Sequence, residues 1–475
     1  MRLGSLYLRG SSDHDFGDII LDKREFLKAS GLALTGTMLT PFDYAQSSSG
    51  ETARPAATRK NWSGNYTYST DRLDTPATIE EVQAIVKRAT KLRALGTRHS
   101  FNAIADSTTE QISLQHLDHM ALDPATRTVT IGAGITYGKL APYIDSHGFA
   151  LHNLASLPHI SIAGGCATAT HGSGIHNRNL SSACSALELV TANGERLALS
   201  RAKDSDIFDG AVVALGALGI VTSLTLDVEP TYQMDQVVYQ DLPFSELEHN
   251  LNTIFASGYS VSLFTDWQNH RATQVWIKRR VDPQKPYTWP QEFYSARRAT
   301  QNLHPVTGHS AESCTEQLGV PGPWYERLPH FRMNFTPSSG KELQTEYLVP
   351  LEHGYEAIRA VEQLRDHITP HLFVTELRTI EADSLWMSMA YQRPSLAIHF
   401  TWKPEWPAVQ KILPLIEANL APFEPRPHWA KLFTMPPATL QSRYAKLSDF
   451  KALLQKHDPD GKFRNAFLES NLYST

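Results

Sequence analysis

Small residues crowd one stretch of this chain. Positions 154–174 read LASLPHISIAGGCATATHGSG, with Gly164, Gly165, Ala167, Ala169, Gly172 and Gly174 spaced by Ser and Thr, and with His159 and His171 marking the run. Without bulky side chains, backbone N–H groups can close on an anion such as a pyrophosphate. The plainer alternative is a glycine-rich loop crossing a tightly packed sheet. Upstream lies a second stretch of the same character, Gly96-Thr97-Arg98-His99-Ser100-Phe101-Asn102.

A different chemistry is written further on. In FVTELRTI (373–380), Glu376 and Arg378 are two apart, so a strand projects both from one face. His399 and Thr401 do the same in LAIHFTW (396–402), leaving Ile398, Phe400 and Trp402 for the other face. Such a polar face either meets solvent or floors a pocket for a hydroxyl-rich ligand. Lys431 follows in His428-Trp429-Ala430-Lys431-Leu432-Phe433.

Taken together, the two glycine-bearing stretches resemble the FAD-binding domain of the vanillyl-alcohol-oxidase (PCMH-type) superfamily, and more closely its alditol oxidases. The stretches at 260–267, 314–332 and 336–347 carry the same resemblance, which covers about 61–467. It implies FAD held by Leu95, Gly96, Thr97, Arg98, Ser100, Ser156, Ser161, Gly164, Gly165, Cys166, Ala167, Ile220 and His428, with His99 bonded covalently to the flavin. Ala155 falls where the family tunes oxygen access. The same match places Ser156, Glu376, Arg378, His399, Thr401 and Lys431 at the substrate. The reaction implied is hydride transfer from a primary alcohol to flavin, with Arg378 and Lys431 stabilising alkoxide character and His399 as the residue type best tuned to near-neutral proton transfer. One residue departs from the pattern: Arg98 stands where relatives often carry glycine, and a site needing φ > 0 strains it.

The totals fit this reading. At 475 residues the chain has room for two to four domains, and 41% hydrophobic with 20% charged residues is an ordinary composition for packed cores. A net charge of −5 without a long basic run argues against nucleic acid. Three cysteines, Cys166, Cys184 and Cys314, make no disulfide framework and show no metal spacing, so no metal site is expected. No G-x-G-x-x-G opens a helix after an N-terminal strand, which disfavours a nicotinamide dehydrogenase. The rivals are an aldonolactone oxidase of gulono-, galactono- or arabinonolactone type, and a secreted carbohydrate-binding protein without flavin. The partners expected are a polyol and oxygen, and the chain is expected to be a monomer.

The elements that must position these residues follow from periodicity. Residues 1–55 fall outside the fold; the stretch around Lys23-Arg24-Glu25-Phe26-Leu27-Lys28 resembles a twin-arginine export signal with Lys23 in place of the first arginine. Export to the periplasm is the reading, a cytoplasmic enzyme the alternative. A T-x-x-E box at Thr78 and Glu81 starts a helix from 79 to about 91, and 93–96 enters a strand that leaves His99 at its end. Strands are expected at 111–117, 128–133, 186–192, 195–200 and 219–228, and helices at 137–147 and 209–215. Asn193-Gly194 reads as a hairpin turn. From 232 onwards come strands at 261–267, 274–280, 343–349, 372–380 and 396–402, with helices at 355–367 and 406–419. The fold class is α+β: a split FAD domain (56–230 and 432–475) and an antiparallel-sheet cap domain (231–431), the sheet covered by helices on one side.

Overall fold

Thr78 opens the first helix, Ile79–Arg88, by accepting from the Glu81 N–H, while the Glu81 carboxylate accepts from Ala77 N at 2.7 Å. The computed structural model describes residues 58–333 and 341–474; the twin-arginine-like segment lies outside them. The helix ends three residues short of the expected 91. Ala89 is already extended at ψ 138°, because Leu92–Ala94 must leave to pair with Glu110–Ile112 in a parallel three-stranded sheet.

A five-stranded antiparallel sheet follows, in the order Met120–Asp123, Thr128–Gly132, Ile220–Asp227, Cys184–Val190, Arg196–Ser200. The hairpin at Asn193-Gly194 is present, with Gly194 at φ +84°. The helix expected at 209–215 sits earlier, at Ser205–Val212, since Leu215 turns to φ +54°.

The C-terminal residues return to this part of the molecule. Lys91 Nζ donates to Gly461 O at 2.6 Å, the buried Arg93 guanidinium to Phe463 O at 2.7 Å, and Asn465 Nδ2 to Ala103 O at 2.9 Å.

Between them a ten-stranded, antiparallel sheet runs through Gln233–Pro243, Arg271–Arg280, Ser260–Thr265, Leu372–Ile380, Ser395–Trp402 and Leu343–Pro350 in that spatial order. The strand Gln233–Pro243 and the helix Ser245–Phe255 were not anticipated. The helix expected at 355–367 is broken into Gly354–Glu362 and Arg365–Ile368. One sheet face is apolar: Leu377, Ile398, Phe400 and Trp402 pack with Leu247, Ile358, Val409 and Leu413 of three covering helices. The register sets Glu376, His399 and Glu346 side by side across three strands on the other face.

This face assignment has a measurable consequence. Ile398→Ala removes a fully buried side chain and is expected to cost about 3 kcal/mol in denaturant unfolding. Thr401→Ala, three residues on and on the opposite face, is expected to cost under about 1 kcal/mol.

Candidate functional site

Small residues at 96–100 and 155–168 wall one side of a cavity of about 1040 Å³, and the polar face of the large sheet closes the other. The two glycine-bearing stretches are locked together by Ser161. Its N–H donates to Thr97 Oγ1 at 3.2 Å, and its hydroxyl fills the space that a Cβ on Gly96 or Gly164 would need, at 2.4 and 2.8 Å. Glycine is required at both positions for that approach. Residues Ile162–Ala167 form a short helix, with Gly165 N–H bonded to Ser161 O, where the plainer alternative was a loop.

Gly96, Thr97, Arg98, His99 and Ser100 all line the cavity, and their five successive N–H groups donate to no acceptor among the described residues. Backbone donors left open in a row are an anion site, so this loop fits the pyrophosphate of a dinucleotide. Leu95, Ala155, Ser156, Ser161, Gly164, Gly165, Ala167 and His428 line the same cavity. Cys166 and Ile220 do not. The Cys166 side chain turns into the core with Tyr137. Strand alternation sends Ile220 into the core with Val82, Val86 and Val190, leaving Gly219 and Val221 toward the cavity. All three cysteines are free, buried thiols.

His99 stacks on Trp62 with ring centroids 4.6 Å apart. Burial, then the neighbouring His159 and Arg98, push its pKa down to about 4, so the ring is neutral at pH 7. Arg98 does adopt φ +65°, the left-handed conformation its side chain disfavours. From this loop Phe101 N–H donates to Ala430 O at 2.7 Å, and Asn102 Nδ2 to Lys431 O at 2.7 Å. The histidine loop thereby holds the backbone of Lys431.

Across the cavity the charged groups meet at a carboxylate that sequence reasoning did not single out. Glu346 is 1% exposed. Its Oε1 accepts from Arg378 Nη2 at 2.5 Å and its Oε2 from Lys431 Nζ at 2.6 Å. Burial alone would raise its pKa, but Lys431, Arg378 and His171 hold it well below the carboxylate range. Arg378 is likewise held charged, burial opposing and Glu376 with Glu346 prevailing. Glu376 stays ionised against burial through Arg378 and His330, whose Nε2 lies 2.8 Å from Oε1. Two carboxylates and two cations cancel, which suits an uncharged, hydroxyl-rich ligand. The alternation in LQTEYLVP could have placed Glu346 on the face of Gln344, but nothing local distinguishes it from a solvent-facing glutamate.

His399 is held at both ring nitrogens. Lys431 Nζ donates to its Nδ1 at 2.6 Å, and its Nε2 faces Thr401 Oγ1 at 3.1 Å, so both nitrogens are engaged. Burial and the Lys431 charge push its pKa down to about 4, far from the near-neutral value assumed for a base. It orients Lys431, whose remaining N–H is left for the cavity it lines. His171, Glu346 and His428 offer ligand atoms within 4.8 Å of one another. Both Glu346 oxygens in this cluster are bonded to Arg378 and Lys431.

Two outcomes test this geometry. Arg98→Gly is expected to be more stable than Arg98→Ala by about 1 kcal/mol, read by thermal unfolding, because only glycine relieves the positive φ. Glu346→Gln is expected to cost about 3 kcal/mol at pH 7 by leaving the buried Lys431 without its ion-pair partner and Arg378 with Glu376 alone. Because the folded pKa lies below the free value of about 4.3, the stabilisation is full above that value and is lost as pH falls from there through the folded pKa. The same variant should therefore also show a shallower acid limb in its stability profile.

The comparisons with known proteins agree with this arrangement. The FAD binding domain model matches residues 70–200, and the D-arabinono-1,4-lactone oxidase model matches 335–471. The chain is 46% identical to an alditol oxidase of Streptomyces sp. over 417 residues, covering 87% of this chain and 98% of that protein. It is 27% identical to the L-gulono-1,4-lactone dehydrogenase of Mycobacterium tuberculosis, over 86% of this chain and 97% of the relative. The crystal structure of cholesterol oxidase from B. sterolicum shares the fold, with a TM-score of 0.70 at 15% identity over 91% of this chain and all of that one. The architecture is thus the two-domain fold of the vanillyl-alcohol-oxidase type, the cofactor is FAD, and the chain belongs to the alditol oxidase family.

Proposed function

We propose that this protein oxidises the terminal primary alcohol of a sugar alcohol such as xylitol or sorbitol to the aldose. Bound FAD supplies the hydride acceptor, and oxygen takes the electrons on: R–CH₂OH + O₂ → R–CHO + H₂O₂. The observation that carries this reading is the self-neutral cluster of Glu346, Glu376, Arg378 and Lys431 facing the anion-binding loop across one cavity. Lys431 and Arg378 stabilise negative charge developing on the substrate oxygen, and Glu376, Ser156 and Thr401 hold further hydroxyls by hydrogen bonds. The 46% identity to an alditol oxidase supports this more strongly than the 27% identity to a lactone dehydrogenase.

In the same reading His99 anchors the flavin covalently. Its neutral imidazole is the form with a lone pair to offer. Residues 22–28 direct export of the folded protein, a reading that cell fractionation tests.

Xylitol and sorbitol, added without oxygen, are expected to bleach the flavin absorbance, and peroxide is expected to form once air is admitted. Bleaching by L-gulono-1,4-lactone with none by either polyol would assign the lactone reaction instead. Lys431→Met should slow flavin reduction by about 10³-fold at unchanged flavin content; equal reduction rates in variant and parent would overturn its role. In acid-denatured protein the yellow chromophore is expected to stay with the polypeptide, and to be lost in His99→Ala.

A further inference from the structure

Behind Glu376 lies a buried lysine that the reaction described above does not use, its pKa pushed down to about 7 by burial against the opposing pull of Glu376. Lys278, on the strand Arg271–Arg280, is 1% exposed and forms no ion pair with a carboxylate among the described residues. Its Nζ reaches three acceptors: Leu328 O at 2.5 Å, Pro329 O at 3.2 Å and His330 Nδ1 at 3.2 Å. His330 in turn stands 2.8 Å from Glu376 Oε1 through Nε2. The imidazole is boxed edge-on by Phe264 and Trp276, with centroids 5.4 and 5.1 Å away. Its backbone is tied by Thr315 N–H to His330 O at 2.9 Å, and Thr315 Oγ1 bonds Pro329 O at 2.8 Å.

Proton positions follow from this chain of partners. An ionised Glu376 only accepts, so His330 Nε2 carries hydrogen and donates. The ring is neutral, its pKa pushed down to about 4 by burial and by Lys278, so Nδ1 is bare and accepts from Lys278. One orientation of donors therefore runs Lys278 to His330 to Glu376, and it occupies Oε1. Glu376 Oε2 is left toward the cavity, 3.7 Å from an Arg378 Nε that is itself buried without a hydrogen-bond partner.

We propose that Lys278 and His330 are positioning residues that fix the tautomer and the carboxylate plane, so that Glu376 Oε2 accepts from a substrate hydroxyl. His330 lines the cavity beside Glu376 and Lys278 does not; in this proposal both act through the carboxylate. Their effect belongs to substrate binding, in the way a partner behind a ligand orients the ligand. The proposal rests on the reading of Glu376 as a polyol contact.

The experiment is anaerobic flavin reduction by xylitol, which separates the dissociation constant from the limiting reduction rate. It uses the FAD-loaded Glu376→Gln, Lys278→Met, His330→Leu and His330→Gln variants, together with the Lys278→Met/Glu376→Gln pair. Losing one charge-assisted hydrogen bond weakens binding about tenfold or more. Lys278→Met and His330→Leu are expected to raise the dissociation constant by about that factor while the limiting rate falls less than about threefold. His330→Gln retains an N–H for Glu376 and is expected to recover most of the affinity.

The double variant is expected to match Glu376→Gln alone, because the relay acts only through that carboxylate. Unchanged affinity in His330→Leu, or additive losses in the double variant, would overturn the relay while leaving the polyol site intact. Unchanged affinity in Glu376→Gln would overturn both. Should Lys278→Met fail to fold, the contrast between His330→Leu and His330→Gln decides the matter.

Discussion

A buried carboxylate between two cations is the constraint on which the rest of the site depends. Glu346 has lost nearly all of its water, and such a charge is tolerated only when paired with good geometry. The pairing draws Arg378 in from a strand two positions away across the sheet, and Lys431 from the chain that leaves Arg426–Pro427. Lys431 is then gripped from the far side, where Asn102 holds its carbonyl. One carboxylate thus ties the sheet to the histidine loop, and the spacing between the flavin side and the substrate side of the cavity is set by these bonds.

Charge balance explains why so polar a pocket can stay ordered. Arg378 and Lys431 repel each other, and so do Glu346 and Glu376, but the four alternate in contact: Lys431 with Glu346, Glu346 with Arg378, Arg378 beside Glu376. In a low-dielectric setting each unit gains from its neighbours what it loses in hydration. The histidines are held neutral first by burial and then by the lysines against them: His399 by Lys431, His330 by Lys278. Their work is directional, accepting on one nitrogen and donating from the other. A pocket built in this way presents fixed donors and acceptors with no net charge, which is what an uncharged polyol needs.

How much of this the residues announce depends on whether the signal is local. Period-two alternation placed Glu376, Arg378, His399 and Thr401 on one face, because strand geometry alone decides it. Glu346 carries the same alternation yet stayed hidden, since its importance comes from strands 30 and more residues away in the chain. The type of His399 points to proton transfer, whereas the lysine against its Nδ1 comes from 32 residues on and is invisible in its own strand. Ile162–Ala167 reads as loop by its glycines, and is helical because Ser161 and Thr97 pin its start. The strand Gln233–Pro243 escaped notice through being buried on both faces over much of its length, which erases the alternation.

Arg98 shows the reverse relation, where a single residue type foretold a backbone conformation. The loop there bears a positive φ on a β-unbranched but bulky side chain, and its five N–H groups from 96 to 100 have no acceptor among the described residues. Both features cost stability in the chain by itself. They persist because the loop is held from outside: Trp62 N–H bonds Arg98 O, Phe101 N–H bonds Ala430 O, and Ser161 occupies the only space a larger residue at Gly96 could use. The surroundings thus prepay in rigidity what a pyrophosphate returns in hydrogen bonds, so the cofactor enters a loop already shaped for it and little ordering remains to oppose binding.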